Sequence, residues 1–232
     1  WSAPLHNSKV TPEQMREIRE NYADIFARCQ ETVGCFIHAA DPRSVFDVTE
    51  EEREAFWEKR YGEPGFGIWM GNFRDVLTDR KANKLMSDYL ARKIRQRVKD
   101  PVVAEKLVPR THGFGTRRVP LEIGYCEGFN QPNVKLVDLT ETPIERITPE
   151  GIRTSDTDYP FDMIIYATGF NAITGAFDQI DIRGVGGVSL KDRWADGPVT
   201  LLGILVDGFP NFLMVMGPHA GLGNFPRAVE YT

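Results

Sequence analysis

The sequence predicts an α/β chain, and three observations carry that expectation. Residues 11–108 hold a series of capped, amphipathic segments, residues 144–155 read as a hairpin, and Asp162 opens a short apolar run, Met163-Ile164-Ile165-Tyr166-Ala167. A strand covered on both faces shows continuous rather than alternating apolar residues, and a run this short is below ordinary helix length.

Taken in order, residues 1–10 are irregular and contain Pro4. Thr11-Pro12-Glu13-Gln14 is a helix start, with a Thr cap, Pro in the first turn and Gln three residues after the cap. Met15, Ile18, Tyr22, Ile25, Phe26 and Cys29 then recur at helical spacing, which predicts one amphipathic helix running to Gly34. Thr49 with Glu52 opens a second helix that carries Phe56 and Trp57 and stops near Gly62. Residues 65–73, rich in Gly and aromatics, form either a short helix or a packed loop. Asp79 caps a longer helix with Leu85, Met86, Tyr89, Leu90, Ile94 and Val98 inside, and Asp100-Pro101 begins another that Pro109 closes. Arg92, Lys93, Arg95, Arg97 and Lys99 fall in the last turns of the longer helix, where cations complement its dipole, so a solvated face is favoured over a phosphate site.

Beyond Pro120 the pattern predicts a short helix over 121–129, a strand over 133–139 and the hairpin, turned at Pro149-Glu150-Gly151. The apolar strand 161–167 follows, and 199–206 and 212–216 are further strand candidates. Thr168 and Gly169 end the apolar run; both are small, and a ligand in an open α/β sheet sits just beyond the carboxyl end of a strand.

The totals bound the function. A chain of 232 residues can bury one large core or two small ones, and 41% hydrophobic with 26% charged residues is ordinary for a soluble globular protein. A net charge of −5 speaks against a nucleic-acid partner. Cys29, Cys35 and Cys126 form no Cys-x-x-Cys pair, and His6, His38, His112 and His219 share no ligand spacing, so neither a disulfide framework nor a zinc site is expected. The cysteine usage fits a reducing, cytoplasmic setting, and no apolar run is long enough to span a bilayer. Position 1 is Trp, and the helix start at Asn224-Phe225-Pro226 has barely a turn before Thr232, so the chain reads as an excerpt of a longer protein.

Two clusters could carry chemistry. His112-Gly113-Phe114-Gly115-Thr116-Arg117-Arg118 is a glycine-flanked loop with adjacent guanidiniums, whose donor forks suit a phosphate or an oxyanion; from the residues alone, a solvated surface pair is the competing reading. Gly217-Pro218-His219-Ala220-Gly221-Leu222-Gly223-Asn224-Phe225 leads into a helix N-terminus, which offers free N–H donors, or is a Gly-rich turn around a satisfied histidine. His219 itself is not expected to be catalytic. Trp194, in Lys191-Asp192-Arg193-Trp194, is expected to be a buried aromatic.

The run Asp162-Met163-Ile164-Ile165-Tyr166-Ala167-Thr168-Gly169-Phe170 resembles the ATG strand of FAD- and NADPH-dependent monooxygenases, and nearly the whole chain is similar to the Baeyer–Villiger monooxygenase family. The resemblance implies a partial FAD/NAD(P)-binding two-domain fold of three-layer type with an all-helical insertion. Residues 1–10 would leave an upstream NADP-binding domain, 11–108 would be the helical subdomain, 109–143 the remainder of the NADP-binding domain, and 144–232 the return to the FAD-binding domain. It also implies insertion of one oxygen atom from O2 beside a ketone carbonyl, giving an ester or lactone, with NADPH as reductant and FAD as cofactor. By position, Arg117 with Thr116 would bind the NADPH 2′-phosphate, and Arg118 would be the catalytic arginine over the flavin. Thr168, Gly169, Asn224 and Phe225 would contact FAD, and Ala220, Gly221 and Leu222 would line the ketone pocket. The family commonly has Lys where this chain has Arg117. The family's two glycine-rich loops do not occur here; Gly184-Val185-Gly186-Gly187 lacks the third glycine and the helix that should follow. Two other readings stand beside this one: a flavin monooxygenase acting on nitrogen or sulfur, which would not need Arg118, and a cofactor-free helical interaction module.

Overall fold

Helix starts encoded by local caps dominate the first half of the chain. The structure, a computed structural model, describes residues 1–32 and 35–220. Two compact units divide it: Trp1–Ile25 with Ile37–Ile164, and Phe26–Phe36 with Ile165–Thr232.

In the first unit, α1 (Pro12–Glu20) begins at Thr11 with both halves of the capping box formed, the Thr11 hydroxyl accepting from Gln14 N–H and the Gln14 side chain accepting from Thr11 N–H. The single helix expected through residue 34 is instead two, because Asn21 leaves helical geometry (φ −110°, ψ 16°) before α2 (Tyr22–Glu31), which carries the chain into the second unit. Neither helix buries a residue fully; Ile18, Tyr22 and Phe26 remain exposed. α3 (Glu50–Gly62) starts on the second capping box, Thr49 with Glu52, and residues 67–70 form a one-turn helix, α4 (Gly67–Met70). α5 (Arg80–Arg97) and α6 (Pro101–Leu107) start on Asp79 and Asp100, whose carboxylates accept from the free first-turn N–H groups.

Helices α3 and α5 bring together Trp57, Met86, Tyr89 and Leu90, which pack with Val45, Ile68, Val76, Phe114 and Val119 into the main core. Trp57 lies 5.3 Å from the Tyr89 ring, and its indole N–H donates to Asn72 Oδ1 at 3.0 Å, so the buried amide and the buried indole satisfy each other. The cation run behaves as a salted face: Arg92, Lys93, Arg95 and Arg97 pair with Glu54, Glu58, Glu105 and the Glu122/Glu127 couple.

Residues 121–129, expected as one helix, split into β2 (Leu121–Glu122) and α7 (Tyr125–Gly128), because Gly124 turns left-handed (φ 71°) between them. β2 runs parallel to β1 (Ala3–Pro4), with Ala3 opposite Leu121. Arg97 then ties α5 to this region, donating to Glu127 at 2.6 and 2.8 Å and reaching Glu122 at 2.7 Å. Hydrogen bonds from Arg97 hold the Glu127 carboxyl down at about 2, against 4.5 ordinarily. A depressed carboxyl contributes stability that is complete above about pH 4.5 and disappears as the pH falls towards 2. The Glu127 side chain is half exposed, so solvent screening limits the contribution to about 1 kcal/mol or less. Glu127→Gln should therefore flatten the acid limb of the unfolding midpoint between those pH values; an acid limb identical to that of the parent chain would refute the coupling.

The hairpin forms as expected, β3 (Ile144–Thr148) against β4 (Gly151–Thr154), and gains a third antiparallel strand, β5 (Asp158–Pro160). Gly151 is required there because a Cβ would collide with the Tyr159 carbonyl. Four other strand expectations fail, two of them here. Residues 133–139 are irregular, held by turns such as Val134 N–H to Gln131 O. Residues 161–167 form no ladder: after Phe161 N–H donates to Glu150 O the chain bends at Asp162 and runs on without regular structure, with Met163, Ile165 and Tyr166 at 75, 82 and 67% exposure. An apolar run becomes a strand only when neighbouring strands take its N–H and C=O groups, and among the described residues no segment does so.

The second unit is built on a small core of Leu190, Trp194, Val206, Phe209 and Met214, with Phe177, Ile182 and Phe212 against it. α8 (Leu190–Arg193) supplies the first of these, and Trp194 is buried as expected, its indole N–H donating to Val199 O at 3.3 Å. Residues 199–206 and 212–216 are not strands: 201–205 close a tight bridge, and Met214 N–H reaches Ile204 O at 2.9 Å, so the two segments meet as turns. Helices with small sheets therefore make up the described chain, and none of its helices is long and apolar enough to cross a membrane.

Candidate functional site

The loop 112–118 is rigid because its apolar residues face inward and its backbone is held by α5. Phe114 is wholly buried and Val119 nearly so. Between them the chain must turn without side-chain bulk. Gly115 is left-handed (φ 71°), and a Cβ on it would sit 2.5 Å from Leu77 and 2.9 Å from the Trp69 indole nitrogen; one on Gly113 would strike the Asn83 amide. The Asn83 side chain donates to Phe114 O at 2.7 Å and to Val76 O at 2.9 Å, and Ser87 Oγ accepts from Phe114 N–H at 3.1 Å. Thr116 closes the turn on itself, its hydroxyl donating to Gly113 O at 2.9 Å.

Residues 116–118 are exposed at the end of this turn. Among the described residues, Arg117 and Arg118 pair with no carboxylate, in contrast to the salted arginines of α5. The Arg118 guanidinium lies 5.7 Å from the centre of the Phe66 ring, which holds its plane without using its N–H donors. Burial first, together with the Arg117 charge, pushes the His112 imidazole below its usual range, which leaves it a poor additional cation. Two permanent charges with unspent donors on a fixed turn are suited to a phosphate or another oxyanion.

Asn83 and Ser87 are functional supports that the reading of motifs missed. The sign was present: two polar residues four apart on the otherwise apolar face of α5, between Ala82 and Leu90.

In the second unit, Thr168 and Gly169 are exposed in irregular chain, with Gly169 left-handed (φ 86°) and nothing within 4 Å of where a Cβ would stand. They do not close a strand, which corrects the expectation drawn from residues 161–167. Ala220 ends a turn whose Ala220 N–H donates to Gly217 O at 3.0 Å. Gly221, Leu222, Asn224 and Phe225 lie outside the described residues. Among the described residues, no group of three or more His, Cys, Asp or Glu is placed to hold a metal ion.

No protein-family model matches the chain. It is 52% identical over 221 residues to 2-oxo-Delta(3)-4,5,5-trimethylcyclopentenylacetyl-CoA monooxygenase of Pseudomonas putida, covering 95% of this chain and 41% of that protein. It is 40% identical over 232 residues to cyclopentanone 1,2-monooxygenase of a Comamonas species, covering 98% and 42%. Among solved structures, OTEMO in complex with FAD and NADP matches with a TM-score of 0.91 and 52% identity, over 95% of this chain and 41% of that one. The class so defined is that of the flavin- and nicotinamide-dependent monooxygenases. The chain spans about two fifths of the length of the curated relatives it matches. Along that stretch it is similar to proteins of the Baeyer–Villiger monooxygenase family.

Proposed function

We propose that this chain is part of a Baeyer–Villiger monooxygenase that uses NADPH and O2 to convert a ketone into an ester or lactone. Residues 1–10 and 109–143 belong to its NADP-binding domain, 11–108 to a helical insertion, and 144–232 to its FAD-binding domain. Bound FAD, reduced by NADPH, supplies oxygen in a form able to attack a carbonyl. The part played by this chain's residues is electrostatic. Arg117, with Thr116 beside it, offers N–H donors to the cofactor 2′-phosphate. Arg118 holds a permanent positive charge where negative charge develops during attack on the ketone, and a preorganised charge of this kind costs no reorganisation when it acts. The donor set fits these groups: guanidiniums remain charged at any working pH and carry no acceptor that would repel an anion. Thr168, Gly169 and Ala220 expose backbone that a flavin or a ketone could approach.

The observation that supports the reading most directly is the pinned loop with two arginines that no described carboxylate neutralises. An enzyme carrying this segment, given NADPH, air and a cyclic ketone, should form the lactone with one oxygen atom from labelled O2. Sulfide oxidation without any lactone would instead favour the nitrogen- or sulfur-oxygenating reading.

A further inference from the structure

The segment from Thr200 to Ala220 folds two turns of the second unit against each other through their backbones. Gly217 N–H donates to Gly203 O at 3.0 Å, and Met214 N–H to Ile204 O at 2.9 Å. The approach is so close that a Cβ on Gly203 (φ 72°) would stand 2.5–2.7 Å from Ala220 N, Cα and Cβ. Four described residues with side chains adopt a left-handed backbone, and three of them, Leu202, Met216 and His219, lie in these two turns. L-residues avoid this region, and it persists only where surrounding contacts impose it.

The side-chain contact that adds to these backbone bonds is the Thr200 hydroxyl. It donates to Pro218 O at 2.8 Å, accepts from Gly203 N–H at 3.1 Å, and lies 3.1 Å from His219 Nδ1. A hydroxyl has one proton and two lone pairs. The Pro218 carbonyl can only accept, so it takes that proton. His219 must then donate from Nδ1, which completes the capacity of the Thr200 oxygen. The neutral imidazole is thereby fixed in one tautomer, with its proton on Nδ1. Val at position 200 has the same shape and can do none of this.

We infer that Thr200 is a positioning residue for ketone recognition: its hydroxyl holds residues 216–220 in their strained turn and orients the His219 ring beside Ala220. The inference rests on the proposed ketone reaction, in which Ala220 faces the substrate. A loosened turn presents the pocket in its binding form only part of the time, so apparent affinity falls while the bound complex reacts at nearly its former rate.

The test compares Thr200→Val with Thr200→Ser in an enzyme that carries this segment, with cyclopentanone as the probe. In Thr200→Val, KM for the ketone should rise about tenfold, the scale of one lost hydrogen-bonding group, while kcat changes by less than about threefold. Thr200→Ser should restore KM. A merely structural role would lower the active fraction, and hence kcat, leaving KM alone. Lactone formation by the parent enzyme with an unchanged KM in Thr200→Val overturns this inference only. A parent enzyme that makes no lactone from any ketone overturns the proposed reaction, and this inference with it. Should Thr200→Val fail to fold, imidazole ¹⁵N shifts of the parent protein decide the matter. Neutral His219 protonated on Nδ1 is the expected result, and protonation on Nε2 overturns the inference, because Thr200 would then be donating to the ring.

Discussion

Replacing Arg118 by alanine in an enzyme that carries this segment should leave NADPH oxidation running and suppress ester formation roughly 100- to 1000-fold. The split follows from the role proposed for Arg118. Its guanidinium is fixed over Phe66 at the end of a turn whose backbone Asn83 and Ser87 hold, and truncation leaves those supports intact. Cofactor reduction needs no charge at this point, whereas attack on the ketone concentrates negative charge on oxygen. Arg118→Lys should recover only part of the loss: an ammonium restores the charge without the planar fork, and it is a strongly hydrated point charge rather than a group that stacks on a ring. The measurement is the ratio of ester formed to NADPH consumed, by chromatography and absorbance on one sample. A ratio in Arg118→Ala equal to that of the parent enzyme would remove Arg118 from the reaction.

Trp57→Ala should be the most damaging single truncation in the helical part of the chain, costing about 3–5 kcal/mol. Three losses coincide there. The indole is 1% exposed, so its removal leaves a cavity between α3 and α5. Tyr89 and Phe73 each lose one ring partner, at 5.3 and 6.3 Å. The buried Asn72 carbonyl oxygen loses the indole donor and keeps only the Phe73 N–H. Trp57→Phe should cost clearly less, since it retains most of the volume and forfeits chiefly the N–H donor. Denaturant midpoints of the three proteins would test this, and equal midpoints for Trp57→Ala and the parent would contradict the packing described.

Which parts of this fold are legible in the sequence depends on how far apart the interacting groups lie. The helix starts at Thr11 and Thr49 are complete within four residues, because cap and reciprocating side chain are both local, and each forms as the pattern predicts. The 144–154 hairpin is equally local. The strands expected at 133–139, 161–167, 199–206 and 212–216 are of another kind: their existence depends on partners that apolar spacing does not specify. Helix breaks at Asn21 and Gly124 were likewise invisible to an apolar periodicity that runs through both. For the candidate site, exposed adjacent arginines could be read directly, but their rigidity could not. That property comes from Asn83, 31 residues before the carbonyl it holds, and from the bulk of Leu77 and Trp69 against Gly115.

The exposed, unpaired run beyond Phe161 has a consequence for handling the polypeptide. With Met163, Ile165, Tyr166 and Phe170 turned outward and no cross-strand partner among the described residues, it is a ribbon that can template its own kind, molecule to molecule. Clumping of that origin would grow with protein concentration and yield to a charged residue placed in the ribbon, without any change in the packing around Trp57.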